Sequence, residues 1–102
     1  SNLAASSPLC FGRGFGFANT LNFGTINAGA TMVVPATVTG ITGANAHVVN
    51  ASPIVQLPAG IVQAAAFVDS NNQAKVQLTN ITAGSIIVGT ISYIIFVYEY
   101  PD

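Results

Sequence analysis

Three features of this sequence of 102 residues predict an all-β fold, an antiparallel β-sandwich or jelly roll of six to eight short strands with an extended N-terminal arm. After Phe17, runs rich in Val, Ile, Thr and aromatic residues recur about every ten residues, punctuated by Gly, Pro, Asn and Asp. Where apolar residues are patterned, their period is two, and no window sustains the three-to-four spacing of a helix. With no helices to cover a parallel sheet, the strands must pair antiparallel. The length suits a single domain, since domains cluster at roughly 100 to 150 residues.

The elements follow in order. Ala, Ser and Gly dominate Ser1 to Gly16 without any sustained period, so residues 1–16 read as an arm and residues 17–102 as the sandwich. Phe17 to Phe23 alternates Phe17, Asn19, Leu21 and Phe23, and Asn27-Ala28-Gly29 signals a turn. Met32 to Thr39 is the next strand. Pro35 places it at a sheet edge or a bulge, because proline has no N–H to give to a ladder. Ala46 to Asn50 follows the Gly40 to Gly43 turn, either as a hairpin partner or as a crossing to a second sheet. Ser52-Pro53 and Leu57-Pro58-Ala59-Gly60 bracket a loop around Ile54 to Gln56. Ile61 to Val68 and Ala74 to Asn80 form a hairpin across Asp69 to Gln73, whose asparagines tolerate the left-handed conformation. In the second of these strands Ala74, Val76 and Leu78 share one face, opposite Lys75, Gln77 and Thr79. Ser92 to Tyr100 is apolar on both faces, with Tyr93, Ile95 and Val97 on one and Ile94, Phe96 and Tyr98 on the other.

That last strand and the composition together predict a homo-oligomer. Hydrophobic residues make up 51% of the chain and charged residues 5%, against about 25% charged in an ordinary domain. Arg13, Asp69, Lys75, Glu99 and Asp102 are too few to coat the roughly 5,400 Å² that a monomer of this mass exposes. One face of the last strand is expected to meet the partner sheet and the other a neighbouring subunit. The assembly contacts are assigned to Tyr93, Ile95 and Val97 on its second face, and to Phe11, Phe15 and Phe17 as rings with which the arm fills apolar pockets.

Chemistry-bearing motifs are sparse. Arg13-Gly14-Phe15-Gly16-Phe17 matches the opening of an RNA-recognition signature, but Ala18-Asn19-Thr20 breaks it, and two basic residues cannot neutralise a phosphate backbone. No nucleic-acid partner is expected. The uncharged run from Ile86 to Tyr98 falls short of the ~20 residues of a spanning helix, and its β-branched content favours a strand, so no membrane partner is expected either. No basic and apolar leader opens the sequence, so no signal peptide is expected. Cys10 has no mate for an internal disulfide. His47 is the sole imidazole, and one His with one Cys cannot complete a structural zinc site, so no metal or cofactor is expected. No G-x-S-x-G elbow occurs, and the carboxylates available for acid–base work are Asp69, Glu99 and Asp102, two of them near the last residue; no catalytic residue is assigned and no enzyme activity is expected. Asn50-Ala51-Ser52 and Asn80-Ile81-Thr82 have the form of glycosylation sequons, which chance explains in a chain rich in Asn and Thr.

From Leu21 to Tyr100 the order of segments resembles a small module of tailed-phage structural proteins. The pieces are Leu21-Asn22-Phe23, Ile26-Asn27-Ala28-Gly29-Ala30, Val38-Thr39-Gly40, Leu57-Pro58-Ala59-Gly60-Ile61 and Val76-Gln77-Leu78-Thr79-Asn80. The usual charged residues flanking the first strand are missing. The resemblance implies a virion structural protein, most often a trimer: a capsid decoration or cement subunit on the capsid surface, assembled in the host cytoplasm, with the major capsid protein or other virion subunits as partners. Two alternatives stand beside it, a receptor-binding tip of a tail fibre or spike, and an extracellular filament subunit that completes its neighbour's sheet by strand addition.

Overall fold

The computed structural model describes residues 13–43 and 46–99, and among them the protein is all-β and antiparallel. Eight strands run in order: β1 (Arg13–Asn22), β2 (Thr25–Ile26), β3 (Thr31–Thr37), β4 (Ala46–Pro53), β5 (Ile61–Ser70), β6 (Gln73–Asn80), β7 (Ile86–Ile87) and β8 (Thr90–Glu99). They form a sheet of order β1-β8-β4, a sheet of order β3-β6-β5, and the short pair β2-β7. The two larger sheets face each other, with β1 against β3 and β4 against β5, so β8 and β6 are the central strands.

The core is what the period-two patterns send inward. β6 buries Ala74, Val76 and Leu78 completely, as its alternation requires, and β8 contributes Ile91, Tyr93, Ile95 and Val97 from the facing sheet. Leu21, Phe23, Ile26, Ala36, Val38, Ile41, Ala51 and Ile61 close the remaining space. Pro35 does lie in an edge strand, β3. The segment after Gly40 to Gly43 crosses to the other sheet instead of folding back on β3.

Two local devices set the shape. β1 runs into β2, and β7 into β8, through Phe23-Gly24 and Val88-Gly89. There Phe23 N–H donates to the Gly89 carbonyl at 2.8 Å, while Val88 and Gly89 N–H donate to the Gly24 carbonyl at 2.8 and 3.0 Å. Gly24 and Gly89 have φ of 57° and 70°, so facing glycines let the paired ribbon turn a corner without losing its hydrogen bonds. The second device is the β5–β6 turn, where Asn72 takes the left-handed conformation at φ 63°. Its N–H donates to the Ile41 carbonyl at 2.9 Å and its Oδ1 accepts from Gly40 N–H at 2.7 Å, so the hairpin tip anchors the Val38 to Gly43 connection.

The expected boundary between arm and body at residue 16 falls inside β1. Arg13, Gly14, Phe15 and Gly16 are paired with Glu99, Tyr98, Val97 and Phe96, so they are part of the sheet. Residues 1–12, including Phe11 and Cys10, lie outside the described residues.

Candidate assembly face

Register decides which side of β8 looks outward. Phe15 lies opposite Val97, Phe17 opposite Ile95 and Leu21 opposite Ile91, and directly opposed residues share a face. The apolar half of β1's Gly-Phe alternation therefore selects the odd-numbered residues of β8 for the core. This corrects the sequence assignment: Tyr93, Ile95 and Val97 are 0 to 1% exposed within one chain and have no surface left for a neighbour. Phe15 and Phe17 are half-buried and pack against the same core, with ring centroids 6.2 Å apart.

The opposite face of this sheet is the candidate site. β8 presents Ile94, Phe96 and Tyr98 there, β1 presents Gly14, Gly16 and Ala18, and β4 presents His47, Asn50 and Ser52. A register shift between Val48 and Asn50 keeps Val48 opposite Val97 on the core side and sets Asn50 opposite Phe96 on the outer side. The Phe96 ring covers Gly16 so closely that a Cβ there would stand 3.4 Å from Cε1, and Phe96 is still 45% exposed. An apolar groove of about 470 Å³ runs along this face, floored by Gly14 and Gly16 and walled by Phe96 and Tyr98, with Asn50 as its polar member. At one end the His47 and Tyr98 rings lie 5.9 Å apart at 46°. The residues named on the outer face include no Asp, Glu, Lys or Arg.

The other outer face differs. Its central strand β6 shows Gln73, Lys75, Gln77 and Thr79 to solvent. Thr79 shares a 2.8 Å hydroxyl hydrogen bond with Thr31, and Lys75 Nζ lies 3.4 Å from Asp69 Oδ2. With both members about one-third exposed, that ion pair contributes at most a few tenths of a kcal/mol after solvent screening.

Two buried polar groups that sequence reasoning missed tie the layers together. Asn80 is fully buried; its Nδ2 donates to the carbonyls of Ile26 at 2.9 Å and Gly84 at 2.8 Å, and its Oδ1 accepts from Thr82 N–H at 2.8 Å and Thr82 Oγ1 at 2.7 Å. Both amide hydrogens are committed, so Asn80-Ile81-Thr82 is a structural clamp and its nitrogen is not accessible for glycosylation. Tyr93 donates its hydroxyl to Gln63 Oε1 at 3.0 Å, and Gln63 Nε2 donates to the Ala51 carbonyl at 3.0 Å, bridging the sheets. Burial pushes the Tyr93 phenol above its ordinary pKa of 10.0.

Among the described residues no three His, Cys, Asp or Glu side chains converge as a metal site would need, and Glu99 is engaged with its Oε2 accepting from Thr42 N–H at 3.1 Å. No described helix is long and apolar enough to cross a membrane. No protein-family model, curated protein or solved structure matches this chain.

Proposed function

We infer that the protein is a virion structural subunit, a capsid decoration or cement protein that acts by burying surface and not by turnover. The observation that carries this reading is the outer face of β1-β8-β4: an aromatic stripe beside a glycine floor, on a chain with 5% charged residues. Left in water such a face is an association hazard. Covered by neighbouring copies, it contributes about 25 cal/mol per Å² of apolar area removed from water. A trimer is the arrangement that the resemblance to tailed-phage modules favours. The segment carrying Phe11 is assigned the grip on an adjacent subunit or on the major capsid protein.

The test is the solution mass of the full chain by light scattering, with cosedimentation on undecorated capsid shells. A species of three chain masses or a multiple of three that binds shells, and that Phe96→Lys reduces to a smaller one, supports the reading. A wild-type monomer that ignores shells sinks it. A trimer that ignores shells turns attention to the tail-fibre tip, for which the groove beside Asn50 is the place to seek a ligand.

A further inference from the structure

We propose that β5 is a separate docking edge, at which two copies of this chain join by antiparallel β5-to-β5 pairing. The proposal uses none of the residues of the aromatic face and is independent of the virion reading.

The two larger sheets have four edge strands, which differ in what interrupts them. β3 carries Pro35 in mid-strand. β4 is broken by its register shift and ends at Pro53. β1 is tied down by Asn19, whose Nδ2 donates to the Thr37 carbonyl at 2.9 Å while its Oδ1 accepts from Thr37 N–H at 3.1 Å. β5 has two register shifts of its own, and Gln63 Nε2 donates to the Ala51 carbonyl of β4 at 3.0 Å, but it carries neither proline nor charge from Ile61 to Val68, and its outer side leaves Val62 43% and Phe67 38% exposed.

What identifies the occupant as a second copy is self-complementarity. Val62 and Phe67 are five residues apart, so in a regular strand they would point to opposite faces. The register shift between Gln63 and Ala65 changes this: Val62 lies opposite Thr79 and Phe67 opposite Lys75, both on the outer side. When two β5 strands run antiparallel with Val62 of one copy against Phe67 of the other, the opposed pairs whose faces the ladder fixes agree in face. Gln63 meets Ala66 and Ile61 meets Val68 on the inner side, and the β-branched–aromatic pair occurs twice on the outer side. A bulge that ordinarily discourages edge pairing thus supplies the parity that self-pairing needs. Charge agrees as well. Asp69 falls opposite Gly60, stays beside its own Lys75, and never confronts its symmetry mate.

The experiment is carried out on the full chain with Phe96→Lys, so that the aromatic face is disabled and the β5 edge is read alone. At about 100 µM, where contacts of micromolar Kd are largely formed, light scattering should return two chain masses. Adding Val62→Lys or Phe67→Glu singly should weaken this association at least tenfold. Adding both should restore it to within about threefold, because the two substituted positions face each other across the two-fold axis. Both positions are solvent-exposed, and circular dichroism verifies folding; a single variant that fails to fold is replaced by Val62→Thr or Phe67→Thr, which must weaken the pair. A species of one chain mass before any β5 change overturns the proposal. So do single variants that associate as well as their parent, a double variant that does not recover, or an association abolished by deleting residues 1–12, which would mean that a neighbour's N-terminal segment fills the edge.

Discussion

The two outer faces of this sandwich are built on the same strand geometry and meet water differently. On β3-β6-β5 the central strand shows Gln73, Lys75, Gln77 and Thr79, polar residues set between exposed apolar side chains, Val33 on β3 and Val62 and Phe67 on β5. On β1-β8-β4 the central strand shows Ile94, Phe96 and Tyr98, flanked on one side by residues almost without side chains. The difference locates the surface that asks to be covered, and charge depletion alone could not have located it.

The largest expected effect falls on the clamp that keeps both faces in place. Asn80→Ala leaves the buried Ile26 carbonyl without its partner and breaks the part-buried bonds to the Gly84 carbonyl and Thr82 N–H, and should cost about 2 kcal/mol in urea unfolding. Both faces would then be lost together. Next comes the Tyr93–Gln63 bridge, where Tyr93→Phe should cost about 1 kcal/mol. Because burial raises the Tyr93 pKa, the folded state holds the phenolic proton more tightly than the unfolded chain does. Its contribution is fully present below the unfolded value near 10 and is lost as pH rises through the higher folded value, so the urea midpoint should drop as pH rises above about 10, and Tyr93→Phe should shrink that drop.

The comparison itself is broken or upheld by a pair of surface changes. Phe96→Lys should lower the solution mass while changing monomer stability by no more than about 0.5 kcal/mol, as a solvent-exposed site allows. Lys75→Gln, on the opposite face, should leave the mass unchanged and stability within about 0.5 kcal/mol. If Lys75→Gln changed the mass and Phe96→Lys did not, the polar face would be the interface.

How far the sequence was legible varied from strand to strand, for a physical reason. In β6 only one alternation is apolar, so Ala74, Val76 and Leu78 could face nowhere but inward, and Pro35 marked its edge because a missing N–H is a local property. In β8 both alternations are apolar, and periodicity is silent on which faces the core. The deciding information lies in β1, where Gly14 and Gly16 alternate with Phe15 and Phe17, but it applies to β8 only through a register linking residues some eighty positions apart. Asn80 was invisible for another reason. Its role comes from carbonyls at Ile26 and Gly84, and nothing in the local sequence distinguishes a clamp from a sequon.

The pairing of β1 with β8 also dictates the order in which the molecule can come into being. β5 and β6 are joined by a two-residue turn and can zip as soon as both have left the ribosome. Arg13 must wait for Glu99, so the sheet bearing the aromatic face has the greatest loop to close and closes last. During synthesis the sheet β3-β6-β5 is complete before β8 emerges, its apolar inner side uncovered, and the β5 edge proposed above is then open to a β5 on a neighbouring nascent chain before either sandwich has closed. Spacing between ribosomes on the message, and not only the final concentration of protein, would then influence how much of the product is correctly paired.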